Sequence, residues 1–172
     1  MYIVAMKTYY TTHQKEQASL TRQSYINSGK SQASKNEPLH TKACILYWAE
    51  GTKNRNTFGF TNCDAETHKL MVSFLRQYFP DQSKKLKARI NFYPSANNTY
   101  EDVRDYWMKE LNLSAESFYN PTDRSKYYKQ PKINKYPNGI LQLQLGSTEI
   151  VHHILGGINH YIGKDIYDGN SL

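Results

Sequence analysis

The stretch Ala43-Cys44-Ile45-Leu46-Tyr47-Trp48-Ala49-Glu50-Gly51 decides how the rest of the chain is read. Cys44, Ile45, Leu46, Tyr47 and Trp48 are consecutive, so on a helix they cover every face, and such a helix must be buried on more than one side. In a domain of this size the second burying surface could be another copy of the same helix. The run then ends in a carboxylate and a glycine. A glutamate in the last turn faces the negative end of the helix macrodipole, where Lys or Arg is favoured. Either a nearby cation such as Lys53 or Arg55 offsets Glu50, or a metal ion does, and a metal would make this helix end an active site. A glutamate just before a helix-terminating glycine is also a common, purely structural ending.

Upstream, Asn36 is the expected N-cap and Pro38 fits the first turn of a helix that runs to Gly51. Residues 1–36 carry five basic side chains against the single acid Glu16, few aliphatic residues and no sustained periodicity. They read as a basic polar arm, with room for a short helix around Gln14 to Tyr25, ahead of a domain over 37–172.

Downstream, Phe58 and Phe60 alternate with small residues as in a half-buried strand, and Asn62 and Asp64 offer a cap. A helix over about 65–79 places Leu70, Met71, Phe74, Leu75 and Tyr78 on one stripe and stops at Pro80. Lys87 to Tyr93 alternate again. Thr99 with Asp102 starts a helix striped by Val103, Tyr106, Trp107 and Leu111. Leu141, Leu143 and Leu145 alternate with Gln142 and Gln144, and Ser147 caps a final helix. Each strand has one apolar and one polar face, so the expected fold is α+β, an antiparallel sheet with helices on one face only.

Composition narrows the partners. A chain of 172 residues with 22 Lys plus Arg against 15 Asp plus Glu, formal charge +7, favours polyanions such as nucleic acid. No run spans a bilayer and no signal peptide is evident, so an intracellular, cytoplasmic or nucleoid-associated protein is expected. Cys44 and Cys63 make neither a disulfide framework nor a four-ligand zinc site, and adjacent His152 and His153 are a poor metal pair.

The open sheet face would carry Lys87, Arg89 and Asn91 from one strand and Gln142 and Gln144 from another. Arg pairs with guanine, Gln or Asn with adenine, and Lys with phosphate, although alternating polar residues also describe a merely solvated face. The segment from Pro121 to Pro137 adds Arg124, Lys126, Lys129, Lys132 and Lys135 among Tyr127, Tyr128 and Tyr136, a pattern suited to following a nucleic-acid backbone.

Taken together, the helix ending Glu50-Gly51 resembles the motif helix of LAGLIDADG homing endonucleases, apolar and closed by an acid and a glycine. The stretch Leu46-Tyr47-Trp48-Ala49-Glu50-Gly51-Thr52-Lys53, then Phe60-Thr61-Asn62 and Phe74-Leu75-Arg76, is also similar to bacterial proteins with a LAGLIDADG-like domain. The resemblance covers about residues 37–163. It implies a homodimer paired through the helix at 37–51, saddle-shaped sheets in the DNA major groove, and Mg²⁺ or another divalent cation bound at Glu50 and Gly51. Glu50 and Lys53 would be catalytic, with Lys53 or Arg55 stabilising developing charge and Arg55 also counted among the DNA-binding residues. The chain departs from the family at Ile45 and Trp48, where small residues usually let two helices cross. Only twelve residues separate Gly51 from Asp64, which fits one strand better than two. The helix over 99–112 interrupts the usual second strand pair.

Three functions follow as expectations. The first is a metal-dependent, site-specific endonuclease on double-stranded DNA. The second is a non-catalytic DNA-binding regulator of the same fold, with Glu50 a polar anchor. The third, an RNA-binding module using the Tyr and Lys loop, is weaker because its aromatics lie off the strands.

Overall fold

A computed structural model of the chain describes residues 2–92, 99–120 and 136–172, with side chains placed from Thr11 onward. The elements are α1 (Tyr2–Ala33), α2 (Pro38–Glu50), β1 (Thr57–Asn62), α3 (Ala65–Tyr78), α4 (Pro80–Ser83), β2 (Lys87–Asn91), α5 (Tyr100–Leu111), a 3-10 turn (Ala115–Ser117), β3 (Ile140–Gly146) and α6 (Thr148–Ile162). Among the described residues the architecture is α+β, with six helices and a three-stranded antiparallel sheet in the order β1-β3-β2. No helix among them is long and apolar enough to cross a membrane.

The period-two pattern of the strands sets the register. Phe60 pairs with Leu143 and Ala88 with the same Leu143, while Thr61 and Arg89 flank Gln142, and Gly59 and Lys87 flank Gln144. One face therefore buries Phe58, Phe60, Ala88, Ile90, Leu141, Leu143 and Leu145, with α2, α3 and α6 packed on β1. On the other face Gln142 and Gln144 are half-buried and Lys87 and Arg89 are exposed. Helix starts follow local chemistry. Asp64 accepts from the Glu66 amide, Thr99 and Asp102 form a reciprocal capping box, and Ser147 accepts from the Ile150 amide.

Three details differ from expectation. Residues 2–33 form one helix of 32 residues rather than a short one within Gln14 to Tyr25. Its packed stripe is Ile26, Gly29 and Ala33, all buried, and two of those three are too small to register as hydrophobic periodicity. Asn36 does not cap α2. It sits at φ 56 in the turn after α1, and Glu37 holds the N-cap position, where its carboxylate accepts instead from the Tyr78 hydroxyl (2.5 Å) and Gln32 Nε2 (3.0 Å). Strand β2 ends at Asn91 rather than Tyr93. Within one chain α2 is covered on one side only: Ala43, Cys44 and Tyr47 are fully buried, but Ile45 and Trp48 stay 41% and 39% exposed.

Helix α6 is the hub of the helical layer, with every residue from Ile150 to Asn159 buried. Glycines let its neighbours reach its backbone. A Cβ on Gly29 would lie 1.8 Å from the His153 carbonyl oxygen, and one on Gly156 would lie 1.9 Å from that of Ile26, so α1 and α6 touch main chain to main chain.

Candidate nucleic-acid interface and the end of helix α2

At the end of α2, Tyr47 stacks on Phe58 with ring centroids 5.2 Å apart, and its hydroxyl donates to the Thr52 carbonyl at 2.7 Å. Gly51 is required by crowding rather than handedness. Its backbone is extended, and a Cβ there would lie 2.4 Å from the Tyr47 ring. Lys53 then turns back over the helix end, where Nζ donates to the carbonyls of Trp48 (2.8 Å), Gly51 (3.1 Å) and Tyr47 (3.3 Å). This ammonium fills the negative end of the macrodipole and is the local cation that offsets Glu50. Burial holds Lys53 below the ordinary lysine range, and the negative charge of Glu50 partly restores it.

The same geometry limits the chemistry. The Gly51 carbonyl already accepts from an ammonium, and Glu50, exposed, supplies one carboxylate. No group of three or more His, Cys, Asp or Glu among the described residues is placed to hold a metal ion. A single chain thus offers a divalent cation one carboxylate at this helix end. Arg55 is also turned away, donating through Nη2 to the Asn170 carbonyl at 3.1 Å.

The sheet face gathers the other candidates. Its first row is Thr61, Gln142 and Arg89 across three strands, and its second is Gly59, Gln144 and Lys87. The Arg89 guanidinium lies 4.9 Å from the centroid of the Tyr119 ring, and Tyr119 is itself fixed by its amide on the Ala88 carbonyl (2.9 Å) and by Tyr100 Oη on its own carbonyl (2.9 Å). Lys87 Nζ donates to the Glu116 carbonyl at 2.9 Å, which draws it toward the sheet edge. Asn91 stands at the end of β2 opposite Ile140. Arg124, Lys126, Lys129 and Lys132 lie outside the described residues.

Comparisons with protein-family models, curated proteins and solved structures give no match.

Two members of the sheet face, Thr61 and Tyr119, are not apparent from the sequence as site residues. Thr61 is one of the small residues of β1, and the cross-strand register alone puts it beside Gln142. Tyr119 follows Phe118, whose parallel bridge to Ala88 extends the sheet edge, and no local pattern announces that pairing. A second polar cluster is structural. His40 Nε2 and His153 Nε2 are 3.0 Å apart, His40 Nδ1 meets Tyr161 Oη at 2.8 Å, and His153 Nδ1 lies 3.4 Å from Ser28 Oγ. This chain of bonds ties α1, α2 and α6 together. Burial pushes both imidazoles down to about 4, so the pair stays uncharged at neutral pH.

Proposed function

We propose that the chain binds double-stranded DNA through the polar sheet face, as a homodimer joined through the exposed side of α2. The row Thr61, Gln142 and Arg89 carries this reading, because its Arg lies over an aromatic ring beside an amide on the next strand. Three strands about 4.8 Å apart give a face roughly 10 Å across, which suits a major groove about 12 Å wide. Arg89 would pair with the O6 and N7 edge of guanine and Gln142 with a neighbouring adenine. Ile45 and Trp48, exposed apolar side chains on one stretch of α2, would be covered by the partner copy. Such a role places the protein in the cytoplasm or nucleoid.

The test is fluorescence anisotropy on a random-sequence duplex pool followed by selection of the preferred site. Arg89→Ala is expected to weaken the selected site by about tenfold and to relax preference at one position. Equal binding of selected and random duplex by the wild type would remove the readout role, and absence of duplex binding at low salt would remove the reading altogether.

The exposed Glu50 favours a second reading, a divalent-metal-dependent endonuclease of the LAGLIDADG type. Because one chain offers a single carboxylate there, cleavage would require Glu50 from both copies and Mg²⁺ or another divalent cation. A nicking assay comparing wild type with Glu50→Gln decides it. Binding by both proteins with cutting by neither, under every divalent metal tried, leaves the non-catalytic regulator.

A further inference from the structure

Helices α1 and α6, the α2–β1 connection and the C-terminal tail meet at a cluster of nitrogen groups that DNA binding leaves unused. Arg22 Nε donates to the Gly169 carbonyl at 2.5 Å and Arg55 Nη2 to the next one, Asn170, at 3.1 Å, so two guanidiniums sit on consecutive peptide units. His152, fully buried, lies one turn after Thr148, whose hydroxyl donates to Oδ1 of Asn56, the neighbour of Arg55, at 3.2 Å. His152 Nδ1 donates to the Thr148 carbonyl at 2.9 Å, and since a carbonyl only accepts, the proton of the neutral ring is on Nδ1. His152 Nε2 and Arg55 Nε are both buried without a hydrogen-bond partner. Orphaned buried groups are costly and normally point to something that completes them.

Among the described residues no counter-charge completes them, and neither arginine forms an ion pair. The acid of the tail, Asp168, accepts from the Asn170 amide and from Ser171 Oγ, and Glu149 accepts from Gln82 Nε2. Burial holds His152 below the ordinary histidine range against the Thr148 hydrogen bond, and the charges of Arg22 from α1 and Arg55 from the connection add to the lowering.

We propose that this cluster is a binding site for a small tetrahedral oxyanion of the phosphate class, held by Arg22, Arg55 and protonated His152. Such an anion accepts from Arg55 Nε and, once the ring takes up a proton, from His152 Nε2–H, which satisfies both orphans and offsets much of the cluster's positive charge. A bridging water could satisfy the same two atoms but would leave the charges uncompensated. Anion uptake is coupled to one proton, so binding strengthens as pH falls. The site is built by helices and tail rather than by the sheet, so it stands or falls separately from DNA binding.

The experiment uses the full chain with inorganic phosphate as probe and chloride at matched ionic strength as reference. The His152 ring proton, assigned with His152→Gln, is titrated by NMR. Phosphate is expected to raise its midpoint by at least one pH unit, about tenfold in proton affinity, and to raise Tm more at pH 6 than at pH 8. Arg55→Gln should weaken the phosphate response at least tenfold, whereas Arg104→Gln should keep it. If Arg55→Gln does not fold, the wild-type midpoint decides alone. An identical midpoint in phosphate and chloride, the result of a bridging water, overturns the proposal, as does an unchanged response in folded Arg55→Gln. If duplex DNA but not inorganic phosphate moves the midpoint, the cluster belongs to the DNA footprint and the small-anion site falls.

Discussion

Two carbonyls of the last turn of α2, Tyr47 and Trp48, and that of Gly51 just beyond it hold the ammonium of Lys53, so losing that group uncovers the negative end of the helix. Lys53→Met is expected to destabilise the fold by about 1–2 kcal/mol, read as a shift in the urea midpoint. Glu50→Gln, at an exposed position, should stay within about 0.5 kcal/mol of wild type. The reverse outcome, a silent Lys53→Met that nonetheless abolishes DNA cleavage, would return Lys53 to the chemistry. Residue spacing brings Lys53 into view because it follows Glu50 closely. It does not separate a cap from a catalytic group, since both need an ammonium at the helix end and only the direction of the carbonyls distinguishes them. Arg89 is a parallel case, visible on its alternating strand while its aromatic support, Tyr119, comes from a distant segment.

Elements built on large apolar residues and side-chain caps are legible from the chain. The α3 stripe, the Thr99–Asp102 box and the Leu141, Leu143, Leu145 alternation all appear where the pattern puts them. Helix α1 escapes because its contact with α6 is written in glycine and alanine, residues that mark close approach only when the partner is known. That contact is also fragile. Gly156→Ala would drive a methyl into the Ile26 carbonyl, with rigid backbone on both sides, and is expected to cost about 2–4 kcal/mol in urea unfolding. Gly146→Ala meets nothing within 4 Å and should change stability by no more than about 0.5 kcal/mol. Equal losses at the two positions would mean that backbone freedom, not helix contact, explains both glycines.

For the molecule as a whole, buried histidines set the acid limit. His40 and His153 titrate at about 4 when folded against 6.5 when unfolded, and burial holds His68 and His152 below the usual range as well. The unfolded chain therefore binds more protons between these values. Stability is fully present above pH 6.5 and is lost as pH falls from 6.5 toward 4. The loss from the His40–His153 pair is on the order of 3 kcal/mol, a single-site magnitude because the two rings share one bond. Urea midpoints measured from pH 7 to pH 4.5 check this, and the double variant His40→Leu, His153→Leu should flatten the slope above pH 5. A slope that survives the double substitution would assign acid sensitivity to the carboxylates instead. The sheet order has a consequence in time rather than space. Within the sheet, strands β1 and β2 pair only with β3, and β3 and α6 are synthesised after the other described elements. Until Ile140 onward is synthesised β1 and β2 lack their strand partner, so nascent chains halted before that point should bind chaperones and resist proteases poorly.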